Sequence, residues 1–177
     1  MKYFRRLTWF VATRLMVVVA VLGVFVMAFY FAMNAANIYV ILKDGMARRT
    51  QAVMMGEDMA QLENYFSPAC LDRDEMLRVT AEDGSVYTNY YDIKGIDHRL
   101  QLEYVWCWPW DDTASATFVE RVVGIDGRIK SSLRAQGLAM GLTVSPPAWQ
   151  TIRYDAILVR VDGRWMIRDL SQREVIR

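Results

Sequence analysis

Asp97–Trp108 reads DHRLQLEYVWCW, and this stretch decides the fold. Leu100, Leu102, Tyr104, Trp106 and Trp108 alternate with Arg99, Gln101, Glu103, Val105 and Cys107, the two-residue period of a strand with one buried face. Pro109 lacks an N–H and suits the end of the ladder, so Trp110-Asp111-Asp112 forms a turn into a second strand over Thr113–Val123. Downstream, Trp149–Val161 and Arg164–Leu170 are two strands joined by Asp162-Gly163, a strong short hairpin signal. Ile125-Asp126-Gly127-Arg128 reads as a turn, residues 131–148 as an exposed loop, and Tyr87–Lys94 as a weak strand.

Upstream the period changes. Residues 57–66 place Met59, Leu62 and Phe66 on one helical face, Ser67-Pro68 punctuates, and residues 72–79 carry a short further helix. Helices segregated from strands imply an α+β fold, with helices packed on a curved antiparallel sheet of four to five strands.

Ahead of this body lies LMVVVAVLGVFVMAFYFAMNAA, residues 15–36, with no charge and one strongly polar side chain, Asn34. An α-helix of this length crosses about 30 Å, the hydrocarbon thickness of a bilayer. Trp9 on one side and Tyr30 and Tyr39 on the other suit interfacial aromatic belts. The apolar run is too long for a cleaved signal peptide and has no suitable small-residue cleavage site after it. The expected organisation is a basic segment over 1–14, a transmembrane helix over 15–36, a helical stalk over 37–55 and an independently folding body over 56–177.

Charge orients the span. Residues 1–43 carry five cations (Lys2, Arg5, Arg6, Arg14, Lys43) and no acid, whereas residues 44–177 carry 16 cations and 20 acids. The positive-inside rule places the N-terminus in the cytoplasm and the body outside it. An acidic body argues against nucleic acid as a partner.

Candidate chemistry is sparse. His98 is the only histidine and falls in register with Leu100, which leaves two readings: a base facing the sheet's buried side, or a strand-end histidine bonded to solvent or backbone. Strict alternation extends that row to Tyr104, Trp106 and Trp108, which makes WCWPW (residues 106–110) a strand ending in core residues. The competing use is an aromatic patch at the sheet rim for a ligand or partner, with Trp110 in the turn at its centre. Cys70 and Cys107 are the only cysteines and could pair in an oxidising compartment. Three Cys and His residues in all are too few for a structural zinc site, and there is no nucleophile elbow or phosphate-binding glycine loop. No metal or cofactor is expected, and no residue is assigned as catalytic.

Tyr65-Phe66 at the end of the helical region, the long strands and the closing DGRWMIRDL (residues 162–170) resemble the nuclear-transport-factor-2-like α+β cone superfamily. Gly163, Trp165 and Ile167 match its frequent Gly-x-Trp-x-Ile closing strand. An anchor ahead of such a domain also resembles bitopic components of bacterial conjugation and type IV secretion machines, and anchored proteins of Gram-positive bacteria. The superfamily holds both enzymes and binding modules. The expected role is a non-enzymatic interaction or assembly component of a bacterial envelope, partnered by lipid through residues 15–36 and by an envelope protein or a second copy. The alternative is a small-molecule-binding or catalytic cone, with a closed apolar pocket holding His98 or a carboxylate.

Overall fold

The computed structural model describes residues 2–176, with side chains from residue 9 onward; the side chains of Lys2, Arg5 and Arg6 lie outside the described residues. The chain opens with one uninterrupted helix, α1 (Lys2–Met55). A 3-10 turn (Met59–Asn64) and three short helices follow: α2 (Pro68–Arg73), α3 (Glu75–Asp83) and α4 (Val86–Tyr90). Strands β1 (Tyr91–Cys107) and β2 (Thr113–Ile129), helix α5 (Arg134–Ala139), and strands β3 (Thr151–Val161) and β4 (Arg164–Ile176) complete it. The sheet is an open antiparallel meander in the order β1-β2-β3-β4. The fold is α+β, as the segregation of periods requires.

Helix α1 has two characters. Residues 9–33 are almost wholly exposed and, from Leu15 on, apolar around the circumference, and this is one helix long and apolar enough to cross a membrane. From Asn34 onward a buried stripe appears: Asn34, Ile38, Leu42, Met46, Arg49 and Val53 recur at helical spacing and lie against the sheet. The stretch expected as a stalk is therefore the central core helix, and the body begins near Asn34 rather than at Gly56. Gly45 permits the close approach: a Cβ there would sit 3.0 Å from the Tyr65 Cβ and 3.4 Å from side-chain atoms of Phe66 and Ile167.

The inner sheet face contributes Leu100, Ala114, Ala116, Phe118, Tyr154, Ala156, Leu158, Trp165 and Ile167, all buried in one cluster with α1. Residues 65–67 add a short parallel bridge to β4, where Ser67 N–H donates to the Ile167 carbonyl (2.8 Å) and Ile167 N–H to the Tyr65 carbonyl (2.7 Å). The Asp162-Gly163 hairpin forms as expected: both residues take positive φ (50° and 78°), the combination a type I′ turn demands.

Three local expectations are corrected. Residues 86–90 are helical, because the Ser85 and Thr88 hydroxyls form a reciprocal capping box that starts α4. Ile125–Arg128 does not turn; it continues β2 and pairs with the start of β1, Ile93 opposite Gly127 and Asp92 opposite Arg128. Gly127 is there for closeness, since a Cβ would lie 3.0 Å from the Asp92 carbonyl oxygen. Residues 131–148 contain α5 and are tied back by Tyr91 Oη donating to the Thr143 carbonyl (3.0 Å) and Ile129 N–H to the Val144 carbonyl (3.0 Å).

Candidate functional site

The last turns of α1 bring polar groups to the inner face of the sheet. Glu120 on β2 shares that face with Phe118 and is fully buried. The Thr50 hydroxyl lies 2.7 Å from Glu120 Oε1 and 3.0 Å from the Met46 carbonyl, so its single proton serves one of the two at a time. His98 Nε2 lies 3.1 Å from the same Glu120 oxygen, with its side chain only 5% exposed. Of the two readings open for His98, the inward one holds, and the strand-end histidine bonded to solvent or backbone is overturned. Immediately before Thr50 on α1, Arg49 donates from Nε (2.5 Å) and Nη2 (3.1 Å) to the two oxygens of Asp74. Asp74 also accepts from the Met76 and Leu77 N–H groups and so caps α3.

This pairing sets the local charge states. Burial alone would lower the affinity of Arg49 for its proton, but the hydrogen bonds and attraction of Asp74 outweigh it, and the guanidinium is held charged. Burial, reinforced by Asp74 and Asp169, pushes the Cys70 thiol up to about 11. Burial, reinforced by Glu120, pushes the Tyr154 phenol up to about 12. A protonated thiol and phenol donate hydrogen bonds but do not attack substrates at neutral pH.

Beside this cluster a cleft of about 600 Å³ opens among α3, α4 and the inner faces of β3 and β4. Val53, Val79, Tyr87, Ile152 and Tyr154 supply apolar walls, and Arg49 and Asp74 also line it. Arg49 Nη1 and the indole N–H of Trp149, another lining residue, are buried donors without a partner among the described residues. The cleft is open rather than the closed pocket that the alternative reading calls for, and His98 and Glu120 are not among its walls. It can hold a partly apolar group carrying hydrogen-bond acceptors. It presents no paired nucleophile and base.

The aromatic residues lie elsewhere. Between Leu102 and Tyr104 the β1–β2 register slips, with Glu103 as the extra residue, and the alternation inverts beyond it. Val105 and Cys107 then take the inner face, and Cys107 is fully buried. Tyr104, Trp106, Trp108 and Trp110 are exposed by 53%, 51%, 39% and 69%. The reading of Trp106 and Trp108 as core residues in the Leu100 row is overturned; the rim patch is what forms. Its rings are in contact, with centroids 6.3 Å apart for Trp106–Trp108 and 5.7 Å for Trp108–Trp110. The five residues singled out from sequence thus divide into four aromatics on an outer surface and His98 on the inner one. Thr50, Glu120, Arg49 and Asp74 were missed. The signal for them was a glutamate within an otherwise apolar strand row and an arginine within the buried stripe of α1.

Cys70 and Cys107 are both free buried thiols. Among the described residues no group of three or more His, Cys, Asp or Glu side chains is placed to hold a metal ion. No known protein family, curated protein or solved structure matches this chain.

Proposed function

We propose that this chain is a single-pass membrane protein, N-terminus in the cytoplasm, whose α+β body stands outside the cytoplasm as a non-enzymatic interaction component of a bacterial envelope. The observation that carries this reading is the continuity of α1. The same helix that is apolar and uncovered over residues 9–33 becomes the buried core helix of the body from Asn34. No flexible hinge separates the two, so the body stands at a fixed height above the lipid. Confinement to the membrane plane raises the effective concentration of membrane partners, and modest contacts then suffice for assembly.

The cleft beside Arg49 is the surface that such a partner would use. It is open, partly apolar and provided with unpartnered donors, while the His98–Glu120 pair is packed away from it. That separation favours binding over catalysis. The helices on one sheet face and the buried Trp165 and Ile167 of the closing hairpin support a nuclear-transport-factor-2-like body. The size of the cleft favours a second reading, in which its occupant is a small molecule.

A photo-crosslinking residue at Val79, on the cleft wall, tests the proposal in native membranes, with Arg121 on the exposed outer sheet face as the control. A discrete protein adduct from position 79 and none from 121 is expected. Equal labelling at both sites, or none, counts against the interaction role, and a small molecule that co-purifies and is displaced by Val79→Trp favours the second reading. A reporter fused behind Arg177 that is active only in the cytosol would contradict the orientation.

A further inference from the structure

We propose that the tip of the β1–β2 hairpin, residues 104–112, is a second membrane contact: its aromatic side chains seat in the lipid interface beside the point where α1 leaves the bilayer. The inference rests on the reading of α1 as a membrane span and extends it to a surface of the body.

Position is the first ground. Trp106 packs edge-on against Phe31, with ring centroids 6.2 Å apart, and the Cys107 thiol lies 3.8 Å from the Phe31 carbonyl oxygen. Phe31 belongs to the end of the uncovered apolar half of α1, three residues before buried Asn34. Asn34 Oδ1 accepts from Arg160 Nη2 (2.9 Å), and the Arg160 N–H donates to the Asp112 carbonyl (2.8 Å), so the hairpin turn is tied to the helix at the level where its apolar half ends.

Length is the second ground. Trp9 and Phe31 are separated by about 33 Å of helix at a rise of roughly 1.5 Å per residue. That is close to the roughly 30 Å of a bilayer's hydrocarbon core. With Trp9, 75% exposed, at one interface, the Phe31–Trp106–Trp108–Trp110 group falls at the other. Two aromatic belts at this spacing are the usual marks of a spanning segment, except that here one belt is completed by the folded body.

Side-chain chemistry is the third. A run of adjoining exposed tryptophans is costly in water, whereas indole is favoured at the lipid interface, where the ring meets acyl chains and the N–H reaches headgroup oxygens. Asp111 and Asp112 follow Trp110 directly. Their carboxylates stay in the headgroup layer and limit how deep the turn can sink. The occupant is lipid rather than another protein, because the patch adjoins the uncovered apolar half of α1 and shares its level. A helix alone leaves the body free to rotate about the axis of α1. A second contact at the hairpin fixes that rotation and therefore the direction in which the cleft opens.

The experiment uses the full-length chain reconstituted in phosphatidylcholine vesicles, with tryptophan emission quenched by lipids brominated at graded depths. Bromines near the headgroup are expected to quench most strongly. In the triple variant Trp106→Phe/Trp108→Phe/Trp110→Phe, the quenched emission should fall about twofold or more, leaving the share of Trp9. Trp110→Phe alone, at the most exposed of the three positions, should lower it in the same direction without threatening the fold. If the protein floats with vesicles and bromolipid quenching is the same in wild type and variants, the hairpin contact is wrong while the membrane span stands. If the hairpin emission resists both bromolipid and aqueous iodide, a protein surface or second copy covers the patch, and lipid docking is overturned. If the protein does not float with vesicles at all, both readings fall.

Discussion

Residues 9–33 and 34–55 of α1 form one helix with no break between them, yet they differ in which faces are apolar and in what covers them. Beyond Arg14 the first half is apolar on every face, and almost nothing in the body covers it. The second half is apolar on one stripe, with Lys43, Asp44 and Arg48 exposed on the other side. The change is marked by a single side chain, Asn34, buried and bonded to Arg160. A candidate membrane span and a domain core therefore share a helix, and the boundary is found in which faces are apolar rather than in where the helix stops. The second half also tolerates charge in its buried stripe, because Arg49 meets Asp74 with two hydrogen bonds. Between residues 15 and 33 the first half has no ionisable group other than the Tyr30 phenol.

Several substitutions would break or sharpen this contrast. The largest effect is expected from truncation. Fragment 56–177 lacks Ile38, Leu42, Met46 and Val53 and should show no cooperative unfolding by circular dichroism, whereas fragment 34–177 should fold. A cooperative transition in 56–177 would show that the second half is a dispensable stalk. Next, Arg49→Leu strands a mostly buried Asp74 and should destabilise the body by about 3–5 kcal/mol in denaturant unfolding. Adding Asp74→Asn should recover part of that loss. Leu42→Ala, in the core half, should cost about 2–5 kcal/mol, and Val26→Ala, in the uncovered half, should leave the body's unfolding midpoint nearly unchanged.

The smallest effect is one of pH. Cys70 and Tyr154 are acids whose protonated forms the fold favours. Their contribution is complete below the ordinary values of 9.0 and 10.0, and is lost as pH rises through about 11 and about 12. Stability should therefore decline progressively above pH 9, and Cys70→Val should shift the onset of that decline upward. A stability profile flat to pH 12 would mean that neither group is buried as described.

The sequence made the α+β class legible because its periods are separate: apolar throughout over residues 15–36, helical to about residue 79, then twofold. The Asp162-Gly163 turn was legible because it depends on local chemistry alone, whereas alternation left His98 open between an inward position and a solvent-bonded strand end, beside a register shift at Asp97. The aromatic rim was ambiguous. Past Glu103 both alternating rows are apolar, Tyr104 and Trp106 in one, Val105 and Cys107 in the other, so pattern alone could not detect the extra residue that exchanges them. The Arg49–Asp74 and Thr50–Glu120–His98 contacts join positions 22 to 70 residues apart. The pairing of β1 with β2 brings His98 to Glu120, and the packing of α1 against the sheet and α3 brings Thr50 and Arg49 to their partners. Gly127 misled because a glycine beside an aspartate signals a turn, while here its missing Cβ lets two strands approach.

The division of α1 into a lipid half and a core half is tested most directly by a nitroxide scan of single labelled sites from residue 16 to residue 54 in vesicle-reconstituted protein. Collision with oxygen should be high on all faces through residue 30 and then fall into a helical period, with minima at the Ile38, Leu42, Met46 and Val53 positions. A helical period of water accessibility within residues 16–30 would contradict the account, because one face of that half would then be packed against protein or facing water rather than surrounded by lipid.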